Sequence, residues 1–201
     1  MGNHLIAPSI LAADFGNLKA DLEMVNSSEA DWFHIDVMDG VFVPNISFGM
    51  PVVKAIRKMT SKPLDVHLMI TQPERYIEKF IDLGSDIISF HIEATNKMEE
   101  NISIIKSKNV KAGIAINPDT PIGDLKDIIS KIDLVCLMGV HPGFAGQKFI
   151  ENTFDRLKQL KPRRFNFIAN ADLTMDGFIA HEITPVVPEA VTGDKDAMTT
   201  N

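Results

Sequence analysis

The chain has 201 residues, 45% of them hydrophobic, which is enough for one sizeable core and too many for a largely disordered polypeptide. Its 20 Lys and Arg against 27 Asp and Glu give a net charge of −7 without a long cationic run, so neither nucleic acid nor an anionic membrane is expected as a partner. No signal-like start and no run of eighteen apolar residues is found, so a soluble, cytoplasmic protein is expected, and the single Cys136 excludes an internal disulfide and a multi-cysteine metal site.

Short apolar, β-rich runs alternate with longer amphipathic stretches, the pattern of repeated βαβ units around a parallel sheet. The runs predict strands over 5–10, 31–37, 64–68, 87–90, 111–116 and 134–138, with a less clear seventh over 167–175. Several are apolar almost throughout, as strands covered on both faces are. Helices are predicted over 17–26, 50–59, 73–83, 98–108, 122–131 and 150–160. The third is the best punctuated, with Pro73 near its start, Tyr76, Ile77, Phe80, Ile81 and Leu83 at helical spacing, and Gly84 after its end. No linker or low-complexity run divides the chain, so a single domain over 1–201 is expected. So many units in so short a chain favour a TIM (β/α)8 barrel over a doubly wound sheet, and no Gly-x-Gly-x-x-Gly turn follows the first strand.

A barrel carries its site at the C-terminal ends of its strands, and ADWFHIDVMDG is the most informative segment there. His34 and Asp36 lie two apart and project to the same face of one strand, and His67 of PLDVHLM ends the next. Two imidazoles and a carboxylate on neighbouring strand ends suit a divalent metal with room left for a substrate.

These residues, with APSILAADF, ADWFHIDVMDGVFVPN, KPLDVHLMI, AINPDTP and VHPGFAGQKFIENT in that order over residues 4 to about 160, resemble the ribulose-phosphate 3-epimerases. The resemblance implies a TIM barrel, an isomerase of pentose phosphate metabolism acting on a small phosphosugar, and one divalent ion such as Fe²⁺, Zn²⁺, Mn²⁺ or Co²⁺. It implies His34, Asp36 and His67 as metal ligands, with a second Asp at the end of the seventh strand. The matching position is Asp176 of LTMDGF, where Gly177 follows but Phe178 replaces the family's second glycine. It further implies Ser9, His67 and Gly177 as substrate contacts, Met38, Met69 and Met138 as packing around the enediolate, and Gly143, Phe144, Ala145 and Gly146 as a phosphate-binding loop. Small residues there expose backbone N–H groups, and a helix starting near Phe149 would aim its N-terminus at the anion. His141 stands where the family has Asn or Asp. His91 and Glu93 share the alternate spacing of the ligands, yet the resemblance assigns them no ligand role; a place at the rim or behind the ligands is expected.

The chemistry follows from the residue types. A proton on the carbon next to a ketone leaves at neutral pH only if the developing negative charge is stabilised, which a chelated metal does. Inversion then needs a base on one face and an acid on the other, and Asp36 and Asp176 supply that pair as catalytic residues. The expected activity is interconversion of D-ribulose 5-phosphate and D-xylulose 5-phosphate. A 3-epimerase of a six-carbon ketose phosphate such as allulose 6-phosphate, or a catalytically impaired metal-binding barrel remnant, stands as the alternative.

Beyond Leu160 the segment 161–201 diverges from the family. Only 24 residues follow Gly177, and Pro185 and Pro188 interrupt their longest apolar stretch, so the eighth strand and closing helix are expected to be degenerate or missing. A barrel short of one strand leaves sheet edges open, which makes a homo-oligomer an expected possibility.

Overall fold

The computed structural model describes residues 5–160. The strand predicted over 167–175, Asp176, Gly177 and the question of an eighth strand therefore lie outside the described residues.

Five strands form one parallel sheet in sequential order: β1 (Phe33–Met38), β2 (Leu64–Met69), β3 (Ile87–His91), β4 (Lys111–Ile116) and β5 (Leu134–Leu137). Helices α1 (Leu18–Ser27), α2 (Met50–Met59), α3 (Ile77–Asp82), α4 (Met98–Ser107) and α5 (Thr153–Leu160) lie between or after them. Sequential parallel neighbours joined by helical crossovers are the wall of a (β/α) barrel. None of the described helices is long and apolar enough to cross a membrane.

The two faces of each strand do different work. Phe33, Ile35, Val37, Leu64, Val66, Leu68, Ile88, Phe90, Ala112, Ile114 and Ile116 face the helices and join Val53, Ile56, Phe80 and Ile105 in the main hydrophobic core. Each fully buried Val, Leu, Ile or Phe among them contributes about 1.5–3 kcal/mol. The alternate residues His34, Asp36, Asp65, His67, Ser89 and His91 are buried polar groups on the opposite face. The strands are thus buried on both sides, with the inner face polar on β1 to β3 and apolar on β4 and β5.

Three predicted elements are revised. Residues 5–10 run beside β1, with the amides of Asp31 and Trp32 donating to Ile6 O and that of His34 to Pro8 O, but only Ser9 and His34 form a strand bridge. Pro8 has no N–H to return to the ladder, and a 3₁₀ turn, Ile10–Ala12, begins directly after Ser9, whose hydroxyl accepts from the Leu11 amide. The helix predicted over 73–83 is broken at Tyr76 into a 3₁₀ turn, Pro73–Arg75, and α3; Gly84 then ends it with φ of 92°. The segment predicted as helix over 122–131 begins as a 3₁₀ turn, Ile122–Leu125, and continues in successive tight turns. Gly123 and the β-branched pair Ile128 and Ile129 disfavour regular α-helix, while Ile122, Leu125, Ile128 and Ile129 still bury the expected face.

Gly113 of β4 marks a tight crossing on the inner face. A Cβ there would lie 2.8 Å from both Ser89 Cβ and a Leu134 methyl carbon. Gly113→Ala should therefore lower the stability of the fold by about 1–3 kcal/mol in urea unfolding, as overpacking does. An unchanged midpoint would show that β3 and β5 can yield.

Candidate active site

Parallel register builds the site. It sets His34 of β1 opposite Asp65 of β2, and Asp36 opposite His67. Because alternate residues share a face, all four side chains meet on the inner side, each at most 2% exposed. His34 Nδ1–H donates to Asp65 Oδ2 at 2.8 Å, while His34 Nε2 and His67 Nδ1 each lie 3.1 Å from Asp36 Oδ1. Ser9 donates its hydroxyl to the other Asp36 oxygen at 2.5 Å. The predicted contact Ser9 thus touches the predicted base directly.

The donor set suits a divalent metal. One ligand atom from each of His34, Asp36 and His67 lies within 4.8 Å of the other two. Metal bonds of about 2.0–2.2 Å place neighbouring donors about 3 to 3.5 Å apart, and the two imidazole-to-carboxylate separations fall in that range. The outer nitrogen of His34 is committed to Asp65, which leaves Nε2 as the nitrogen turned to the inner side, the arrangement in which a carboxylate behind a histidine orients it as a ligand.

The electrostatics agree. Burial alone would push the Asp36 carboxyl up, but the charge and hydrogen bonds of His34, with those of His67, hold it well below the usual carboxylate range. Burial works against a charged His34, yet Asp36 and Asp65 hold its pKa well above that of an ordinary histidine. A cluster with two buried carboxylates therefore attracts positive charge.

His91 and Glu93 stand behind the ligands, as expected. His91 is fully buried, with Nε2 3.0 Å from His67 Nε2 and Nδ1 3.1 Å from Glu93 Oε2. Burial pushes His91 down to about 4 against the pull of Glu93, so its ring is neutral at physiological pH. Glu93 Oε1 accepts from the Asn117 amide and the Thr120 hydroxyl. Burial would raise Glu93, but its hydrogen bonds from His91 and Thr120 keep it ionised.

The remaining predicted residues divide. Met38 and Met69 are buried in one cluster with Val43, flanked by Leu11 and Phe42. Met138 instead packs with Ala115, Leu134, Cys136 and Val140. In the glycine loop, Gly143 and Gly146 have φ of 126° and 75°, a backbone that glycine permits. The loop is fastened by the Asn45 side-chain amide donating to Gly143 O and by Gln147 donating to His141 O and Phe144 O. Phe144 is half exposed. The helix expected near Phe149 starts at Thr153, four residues later, so its N-terminus is farther along the chain from the loop than predicted. Asp65 was missed from sequence, although it has the same alternate spacing before His67 that His34 has before Asp36.

Comparison with known proteins gives the setting. A family model described as "Ribulose-phosphate 3 epimerase family" matches residues 5–197. The "Ribulose-phosphate 3-epimerase" of Bacillus subtilis is 46% identical over 187 residues, covering 92% of this chain and 86% of that protein. That of Synechocystis is 45% identical over 161 residues, covering 79% and 70%. Among solved structures, the fold matches a mutant tryptophan synthase alpha-subunit from Pyrococcus furiosus, with a TM-score of 0.62 at 17% identity over 81% of this chain and 76% of that one. The architecture is thus the TIM barrel that the strand order indicates.

Replacing Asp65 by Asn keeps the shape beside His34 and removes the charge behind it. Affinity for Co²⁺, read by competition with a chromophoric chelator, should fall about 10–100-fold. Unaltered affinity would remove Asp65 from the metal site.

Proposed function

The chain belongs to the ribulose-phosphate 3 epimerase family, and on that premise we propose that it interconverts D-ribulose 5-phosphate and D-xylulose 5-phosphate by moving the proton on C3. The observation that carries this reading is the convergence of His34, Asp36 and His67 at adjacent strand ends of a barrel whose sequence matches the family over nearly its whole length.

His34, Asp36 and His67 would hold a divalent ion, with Asp176 as the fourth ligand. When bound, that ion supplies the positive charge that lets a ketone oxygen take up negative charge as the neighbouring proton leaves. Asp36 is the base: its carboxylate is ionised, buried and oriented by the hydroxyl of Ser9, so it can accept the C3 proton on one face of the substrate. Asp176 returns a proton to the opposite face, and the two exchange roles when the reaction runs backwards. Met38 and Met69, buried beside the strand ends, would pack on the delocalised anion with polarisable thioethers that carry no exchangeable proton. Met138 does the same from the β5 side. The loop of Gly143, Phe144, Ala145 and Gly146 would hold the phosphate through backbone N–H groups, with Gly177 as a further contact.

The first test is a coupled assay of the metal-loaded protein with D-ribulose 5-phosphate, following D-xylulose 5-phosphate. Turnover supports the reading; a higher kcat/KM for a six-carbon ketose phosphate would reassign the substrate, and a folded, metal-binding protein without turnover would make the chain a disabled barrel. Asp36→Asn should cut exchange of the C3 proton with solvent by at least ~10²–10⁴-fold, measured by deuterium uptake. Exchange at the wild-type rate would remove Asp36 from the base role. The double substitution His34→Ala and His67→Ala should abolish stoichiometric metal in elemental analysis, and metal retained at one equivalent would put the ion elsewhere.

A further inference from the structure

The stretch VFVPN follows β1, and the mechanism above gives its last residue no task. Asn45 is half-buried, and its side-chain amide donates to the carbonyl of Gly143 at 3.0 Å, across 98 positions of sequence. Resting on the reading that residues 143–146 hold the substrate's phosphate, we propose that Asn45 is a positioning residue for that loop. By holding the Gly143 carbonyl, it turns the Phe144 N–H toward the phosphate.

A planar trans peptide carries its C=O and its N–H on opposite sides, and no peptide bond among the described residues is cis. Asn45 fixes the Gly143 carbonyl toward the loop after β1, so the Phe144 N–H points away from that loop. Gln147 acts in the same sense from within the segment, donating to His141 O and Phe144 O, and the second of these bonds sets the Ala145 N–H. Three carbonyls, whose negative ends would repel an anion, are tied down by side-chain amides. None of the backbone N–H groups of residues 143–146 donates to an acceptor among the described residues. Acceptors occupied and donors left open are the polarity that an anion requires.

The hold is stiff because Asn45 is itself fastened. The Gly40 amide donates to Asn45 O at 2.9 Å, and Asp39 and Ile46 form an antiparallel bridge, which closes residues 39–46 into a tight loop. Asp39 Oδ1 accepts from the amides of Val41 and Phe42, and its Oδ2 from that of Thr71 beyond β2. The Ser47 hydroxyl donates to Asp36 O at 2.6 Å and accepts from the Met38 amide at 3.0 Å. Close packing adds to these bonds: Gly143 is buried with φ of 126°, and a Cβ there would stand 3.3 Å from Val43 Cβ and from Pro44 Cδ. The strand that carries Asp36 therefore also carries the loop against which the glycine loop is set. One strand end positions the groups for both ends of a phosphosugar.

Asn45→Leu keeps nearly the same size and removes the donor. In ¹H–¹⁵N spectra of the full Zn²⁺-loaded chain, the Phe144 amide should shift as inorganic phosphate is added. The Leu variant should bind inorganic phosphate about 2–10-fold more weakly in that titration, the worth of one hydrogen bond. Its KM for D-ribulose 5-phosphate should rise by a similar factor with kcat within about twofold, because the binding lost is common to ground and transition states. Zn²⁺ affinity and melting temperature should match those of the unaltered protein, which separates positioning from damage to the metal site or the fold. Asn45→Asp, of the same shape and without the N–H, should weaken phosphate at least as much. Undiminished phosphate affinity in either folded variant, or a Phe144 amide that does not respond to phosphate, would overturn the assignment. Absence of epimerase turnover in a chain whose phosphate affinity depends on Asn45 would instead count against the proposed function alone.

Discussion

The register between β1 and β2 is the constraint on which the site depends. In a parallel pair each residue has one cross-strand neighbour, and a slip of one position turns every side chain to the opposite face. Here His34 opposite Asp65 and Asp36 opposite His67 puts two imidazoles and two carboxylates on the inner face, and the alternate residues Phe33, Ile35, Val37, Leu64, Val66 and Leu68 in the core under the helices. The same register that buries the oily face therefore assembles the polar one. Slipping it would cost the core at least as much as the site.

Packing so much charge beneath a fold is expensive unless each group finds a partner. Asp36 is met by two imidazoles and the Ser9 hydroxyl, and Glu93 by an amide, a hydroxyl and a ring N–H. The compensation is incomplete: Asp65 Oδ1 and Ser89 Oγ are buried with no hydrogen-bond partner among the described residues. Such groups cost about 1–3 kcal/mol each, and a core built only for stability would replace them with apolar side chains. The inner face is therefore shaped by what it must bind.

How far this was legible in the sequence depends on how local each feature is. Strand positions in β1 to β5 follow from runs such as FHIDVM and LDVHLM, and His34, Asp36 and His67 from their spacing at strand ends, because period two and parallel order decide which face a residue takes. Winding is less local. The stretch from Ile122 satisfies the same core with tight turns as with a helix, so its pattern of apolar residues could not distinguish them. Asp65 escaped notice because its role appears only when β1 is laid beside β2; in isolation it is a polar residue in a buried strand. The bond of His91 to His67 likewise needs the geometry of β2 beside β3.

The division of faces also explains why chemistry and stability can be altered separately in this fold. The helix-facing core runs from Ile10 to Leu160 and contains no residue of the polar cluster. On the inner side His34, Asp36 and His67 lie on β1 and β2, backed by β3, whereas β4 contributes Gly113 and Ala115 and β5 contributes Leu134 and Cys136. Gly113 is small because Ser89 and Leu134 lean over it, so the polar cluster meets the apolar half of the interior across a crossing with no room for another side chain.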